Sequence, residues 1–267
     1  MKQVILFLLF ISFFCGNGCS RQEIKDSVVT GNKKISDVYK SETLSFLTSD
    51  NLNIKGAYYY SEGKTDISHA LVVLIHQFRS DRSQWQKSFI DSLISKNYYV
   101  LAYDIRSHGE SDKASVEKLE LLKSPDQVTK DIEAVIKWAK SKKNIDSSRI
   151  AVIGTSIGAS IGIYARIFLG AKTVIGISGG KGTFEAFTGY DERSMTMSRI
   201  IPRFNSVLFI CGEKDNDYAK EEKSILDNYA MEPMKLQLYA SEKHGKELIS
   251  QFPEINELML KWLSVNL

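Results

Sequence analysis

From about residue 41 to the end of the chain, short apolar runs alternate with amphipathic stretches. Eight of the runs read as strands, at 43–48, 54–60, 70–75, 98–103, 150–153, 173–177, 207–211 and 235–239. The first two follow each other closely across the turn cluster Ser49-Asp50-Asn51, so they are expected to form a hairpin. Helical periodicity fills most of the later gaps, which implies parallel strands joined by crossovers. The clearest helix runs from Ser124 to Ser141. Ser124 stands at the N-cap, Pro125 at the first helical position and Gln127 at the third residue of a capping box. Val128, Ile132, Val135, Ile136 and Ala139 make one apolar stripe. Ile255, Leu258, Met259, Trp262 and Leu263 repeat that pattern after Pro253. The stretch 182–202 has weak periodicity and reads as an insertion over the strand ends. The expected architecture is an eight-stranded, mostly parallel α/β sheet with helices on both faces and a short cap.

The fifth run leads into Gly154-Thr155-Ser156-Ile157-Gly158, a G-x-S-x-G sequence. Ile161, Ala165 and Phe168 follow at helical spacing. Strand, sharp turn and helix together fit a nucleophile elbow, in which the turn lifts the serine hydroxyl clear of the sheet. The flanking glycines let strand and helix pass closely. The first N–H groups of the helix then point at whatever the serine attacks. A second match, Gly176-Ile177-Ser178-Gly179-Gly180, also ends an apolar run. It continues into Lys181-Gly182-Thr183, which does not read as an immediate helix, so Ser178 is taken as a polar strand end.

With 43% hydrophobic and 25% charged residues, the 267-residue chain has ordinary globular composition and can bury a sizeable core. A net charge of +3 gives no reason to expect nucleic acid as a partner. The scattered histidines and cysteines offer no metal site, and no phosphate loop appears, so no cofactor is expected. The sequence leaves the oligomeric state open.

The N-terminus reads as an export signal. Lys2 is followed by an apolar run at 4–14, too short to span a bilayer. The Gly18-Cys19 junction resembles a bacterial lipoprotein lipobox, although Gly16 stands where an aliphatic residue is usual. The resemblance implies a signal peptide at 1–18, a lipid on Cys19 and a polar tether at 19–40. The chain would then sit on a membrane of the cell envelope; a plain secretory signal is the alternative. Cys211 lies in an apolar run as a small buried hydrophobe.

Eight strands with an antiparallel start and a serine elbow after the fifth make residues 41–267 resemble the α/β-hydrolase superfamily, of the esterase and serine aminopeptidase-like kind. In that superfamily the acid and the base follow the serine in the order Ser, Asp or Glu, His. Asp215, in Gly212-Glu213-Lys214-Asp215 after the seventh strand, matches the acid position, with Asp217 as a rival. His244, after the eighth strand, is the one histidine that follows both. The resemblance places the oxyanion donors at the N–H of Ile157 and in the loop after the third strand. There Gln77 stands where glycine is usual, Phe78 is the donor by position, and Gln77 is the alternative. His76 reads as a loop-holder. Asp104-Ile105-Arg106-Ser107-His108-Gly109-Glu110-Ser111 resembles a scaffold loop of the same superfamily.

The implied activity is hydrolysis of a small-molecule ester or acyl substrate through an acyl-serine, with thioesters and amides or peptides served by the same triad. A non-catalytic surface-displayed binding protein on this fold is the alternative from another class. Phe184, Phe187, Tyr190, Met195 and Met197 could line a cap over the substrate, or simply pack it onto the core.

Overall fold

A computed structural model describes residues 39–61, 67–189 and 203–267. The expected signal peptide and most of the tether lie outside these residues. The eight strands are β1 (Tyr39–Leu47), β2 (Asn53–Ser61), β3 (His69–Ile75), β4 (Tyr99–Tyr103), β5 (Ile145–Thr155), β6 (Thr173–Ile177), β7 (Phe204–Gly212) and β8 (Ala230–Tyr239). All eight expected strands are present. β1 begins at Tyr39, two residues inside the stretch read as tether, and pairs there with Ser61 of β2. They form one sheet in the order β1-β2-β4-β3-β5-β6-β7-β8. The β1–β2 and β2–β4 pairs are antiparallel; every other pair is parallel.

The helices are α1 (Lys87–Ser95), α2 (Pro125–Lys140), α3 (Ile157–Phe168), α4 (Lys181–Thr188), α5 (Tyr218–Tyr229), α6 (Lys246–Gln251) and α7 (Glu254–Asn266). They cover both faces because the strand side chains alternate. Val73, Ile75, Leu101, Val152, Val174 and Phe209 face the core that holds α2, α3, α4 and α5. Val72, Leu74, Val100, Ile153, Ile175 and Leu208 face the one that holds α1 and α7.

Three local expectations are corrected. Ser124 caps α2 by position only, with no side-chain bond to the helix N–H groups. Gln127 instead accepts a hydrogen bond from Arg106 Nη1 at 3.0 Å, because the buried guanidinium needs acceptors more than the helix end does. Phe168 is exposed at the end of α3 and packs on Tyr164 rather than on the sheet. The cap was expected to begin at 182, yet 181–188 form α4, with Phe184 and Phe187 buried in the core. Those two rings fill the space beside α3 and α5 and do not line a cap. Tyr190, Met195 and Met197 lie outside the described residues.

Arg106 ties the hairpin to α2. Its guanidinium binds Asp131 at 2.7 Å and Asp50 of the β1–β2 turn at 2.7 Å, and both Arg106 and Asp131 are fully buried. Removing Asp131 takes away the buried counter-ion and leaves the guanidinium only the partly exposed Asp50. Asp131→Ala should therefore lower stability by about 3–5 kcal/mol in urea unfolding. A loss below about 1 kcal/mol would mean that water reaches the guanidinium.

Candidate active site

Parallel strands end on one edge, so β3, β5, β6, β7 and β8 deliver their following loops to the same side of the sheet. Ser156 follows β5 with φ 52° and ψ −116°, a conformation that side-chain-bearing residues rarely adopt. Its N–H donates to Ile177 O at 2.8 Å, which pins the turn to β6. A Cβ on Gly154 would collide with the Gly158 carbonyl, and one on Gly158 would stand 2.7 Å from Ile75 O. The two glycines thus make the turn possible.

Asp215 is buried after β7, and its carboxylate meets His244 Nδ1 at 2.9 and 3.1 Å. Nδ1 therefore carries the proton and leaves Nε2 as an acceptor. Tyr218, at the start of α5, packs on the His244 ring with centroids 4.6 Å apart. The rival Asp217 is exposed and pairs with Lys220. The histidine loop also reaches the elbow: a Cβ on Gly245 would lie 3.6 Å from Thr155 Cβ.

The second G-x-S-x-G resembles the first more closely than its sequence suggests. α4 opens at Lys181, directly after Gly180, and Ser178 also has a positive φ, of 56°. Burial separates the two serines. Ser178 is fully buried and its Oγ accepts the Gly245 N–H at 3.0 Å, whereas Ser156 is half-buried. Ser178 thus fastens the histidine loop from beneath. Cys211 lies in the same layer, with Sγ 3.9 Å from Asp215 Oδ2, and burial pushes its thiol well up. Glu222 of α5 is wholly buried and accepts the Gly179 N–H at 2.6 Å. Burial first, and then the nearby Asp215 and Glu221, push its carboxyl well above the usual range, against the Gly179 bond. Nothing in the sequence singled out Glu222 or Tyr218. Only an i,i+3/i+4 position on the inner face of α5 distinguishes them.

In the loop after β3, the Gln77 N–H is taken by Gln84 Oε1 at 3.0 Å. Arg79 N–H is taken by His108 Nε2 at 3.1 Å. The Phe78 N–H between them has no acceptor among the described residues. Ile157 opens α3, so its N–H has no acceptor within the helix.

The histidines of the scaffold are held as neutral struts. His76 Nδ1 donates to Gln77 O at 2.7 Å, and its Nε2 accepts the Ile105 N–H at 2.9 Å. Burial lowers its pKa to about 4, opposed by the Gln77 carbonyl. His108 bridges Arg106 O and the Arg79 N–H in the same way. Asp104 accepts from the Glu110 and Arg82 N–H groups and pairs with the Arg82 guanidinium. Ser111 Oγ donates to Asp104 O and accepts from the Lys55 N–H. The 104–111 loop is thus held together by its own side chains, as a scaffold would be.

Comparison with known proteins places this architecture. A family model described as serine aminopeptidase, S33, matches residues 66–170, which hold β3, β4, β5, the elbow and α3. An Escherichia coli protein named only as an uncharacterized 31.7 kDa protein of the traX-finO intergenic region is 34% identical over 93 residues, 35% of this chain. The matched segment spans about a third (31%) of that relative's length. Among solved structures, the Pyrococcus furiosus esterase Pf2001 superposes with TM-score 0.63 at 22% identity, covering 89% of this chain and 95% of the other. An acetyl xylan esterase from Paenibacillus sp. R4 superposes with TM-score 0.67 at 17% identity, covering 91% and 87%. These likenesses establish the fold as that of the α/β-hydrolases.

The buried His76 makes a pH prediction. The unfolded chain binds a proton there near the ordinary value of 6.5, while the folded chain resists until about 4. Stability present above pH 6.5 is therefore lost as pH falls toward 4. Urea unfolding of His76→Asn across that window should give a shallower slope than wild type. Equal slopes would show that His76 takes its proton without opening the loop.

Proposed function

We propose that this chain, an α/β-hydrolase by fold, is a serine hydrolase that cleaves carboxylic esters through an acyl-Ser156 intermediate. The observation that carries the reading is that a serine in a strained strand–helix turn follows β5 on the same sheet edge as a histidine oriented by a buried aspartate. A buried serine with its Oγ already engaged, as at 178, is a poor nucleophile by comparison.

In the reaction, Ser156 Oγ attacks the ester carbonyl while its proton passes to His244 Nε2. Asp215 keeps the imidazole in the tautomer that can accept it and stabilises the imidazolium that forms. The tetrahedral oxyanion is taken by the N–H groups of Ile157 and Phe78, whose freedom from other acceptors supports them as the donors. The engaged N–H of Gln77 argues against the alternative. Collapse expels the alcohol, which leaves with the proton from His244. Water then attacks the acyl-serine, with His244 again as base, and releases the acid. Thioesters and activated amides would follow the same steps; the esterase names of two structural neighbours favour oxygen esters.

Ser156→Ala should lower kcat for p-nitrophenyl acetate or butyrate by on the order of 10⁶ while the protein stays folded. Ser178→Ala leaves the Gly245 N–H unpaired and should cost about 1–3 kcal/mol of stability, with a much smaller loss of rate. Asp215→Asn should cut activity strongly and Asp217→Asn should not. Near-normal turnover by Ser156→Ala would overturn the assignment.

We further propose that the mature protein begins at Cys19 and is held on a membrane surface by lipid, with the hydrolase domain in water. The support is the short apolar run and the Gly18-Cys19 junction. No helix of the described residues is long and apolar enough to cross a membrane. One acyl chain holds only marginally, so stable anchoring needs several. Detergent-phase partitioning of the wild type that is lost in Cys19→Ser is the expected result. Aqueous partitioning of both would mean a secreted, unanchored chain.

A further inference from the structure

We propose that Gln77 is a positioning residue that locks the oxyanion-donor loop to the histidine loop, fixing the Phe78 N–H and His244 relative to each other. The proposal rests on the ester-hydrolase reading above and adds a residue to it. Gln77 makes three bonds, two to the start of α6 and one to Gln84.

Its side-chain Oε1 accepts the N–H of Lys246 at 2.8 Å, two residues after His244. Lys246 opens α6, so that N–H has no acceptor within its own helix. Its Nε2 donates to Glu247 Oε2 at 3.2 Å. Its backbone N–H donates to Gln84 Oε1 at 3.0 Å, and Gln84 Nε2 goes on to Thr155 Oγ1 at 2.8 Å. Thr155 is buried and immediately precedes the nucleophile. Two glutamines thus join the loop after β3 to the end of β5 and the start of α6.

Gly245 is the other half of the clamp. It has φ 53°, and a Cβ there would collide with Gln77 Oε1. The amide occupies space that any other residue at 245 would fill. The histidine loop is then held from two sides, by Ser178 Oγ on the Gly245 N–H and by Gln77 Oε1 on the Lys246 N–H. An amide suits position 77, because it accepts from a backbone N–H and donates to a carboxylate at once. A carboxylate at 77 keeps the first bond and sets two negative groups side by side.

A group that positions others should affect the rate more than binding or folding. A misplacement of about 1 Å between reacting groups can cost on the order of 100-fold. Gln77→Ala should therefore lower kcat for p-nitrophenyl acetate by about 10- to 100-fold, with KM within about twofold. Gln77→Glu should also be slow. The double variant Gln77→Glu with Glu247→Gln keeps the bond from the Lys246 N–H and re-forms the side-chain bond with donor and acceptor exchanged, and should recover most of the lost kcat.

The decisive companion measurement needs no turnover. Hydrogen–deuterium exchange of Gln77→Ala should rise over residues 244–250 and stay unchanged over β7. Unchanged exchange over 244–250 overturns the clamp whatever the activity. So does a kcat within twofold of wild type while Ser156→Ala is inactive, or a loss that the double variant fails to recover. If Ser156→Ala instead matches wild type, the ester-hydrolase reading fails, and the exchange result still decides whether Gln77 holds the loop.

Discussion

The turn at Ser156 is the constraint on which the rest of the structure depends. Backbone at φ 52° and ψ −116° is costly for a residue with a side chain, and it persists only where its surroundings hold it. Gly154 and Gly158 remove the Cβ atoms that would keep β5 and α3 apart. The Ile177 carbonyl takes the Ser156 N–H, so the neighbouring strand holds the turn from the side. Because β3, β5, β6, β7 and β8 run parallel, everything the turn presents is met by loops from the same edge.

Polar groups beneath that edge are arranged so that few are left charged. His76 and His108 are neutral struts between backbone groups. Glu222 is a carboxyl kept protonated by burial, and it accepts the Gly179 N–H. The exceptions are the Arg106 cluster, where two aspartates surround one guanidinium, and the Arg82–Asp104 pair. The two histidines and Glu222 therefore stay uncharged near neutral pH.

Much of this was legible because the signals are local. Strand runs, the apolar stripe of α2 and the glycine spacing of the elbow are properties of short windows, and all eight strands fall where the runs do. Asp215 and His244 were reachable through chain order, which the superfamily resemblance supplied. What stayed hidden is long-range. Gln84 and Thr155 are 71 residues apart, and Gln77 and Lys246 are 169 apart. No local pattern announces such pairs. Competition between partners explains two misreadings. Gln127 serves Arg106 rather than the helix cap, and Phe184 and Phe187 serve the core rather than a cap. The residues after Ser178 carry no local helix signal, yet α4 begins two residues after Gly179; burial, which a sequence does not display, is what separates Ser178 from Ser156.

The central claim is that one serine of the two G-x-S-x-G turns is an activated nucleophile. Treating the folded protein with a fluorophosphonate and mapping the adduct by peptide mass spectrometry tests it most directly. The account predicts a single adduct on Ser156. An adduct on Ser178, or none on a protein that hydrolyses esters, would contradict it.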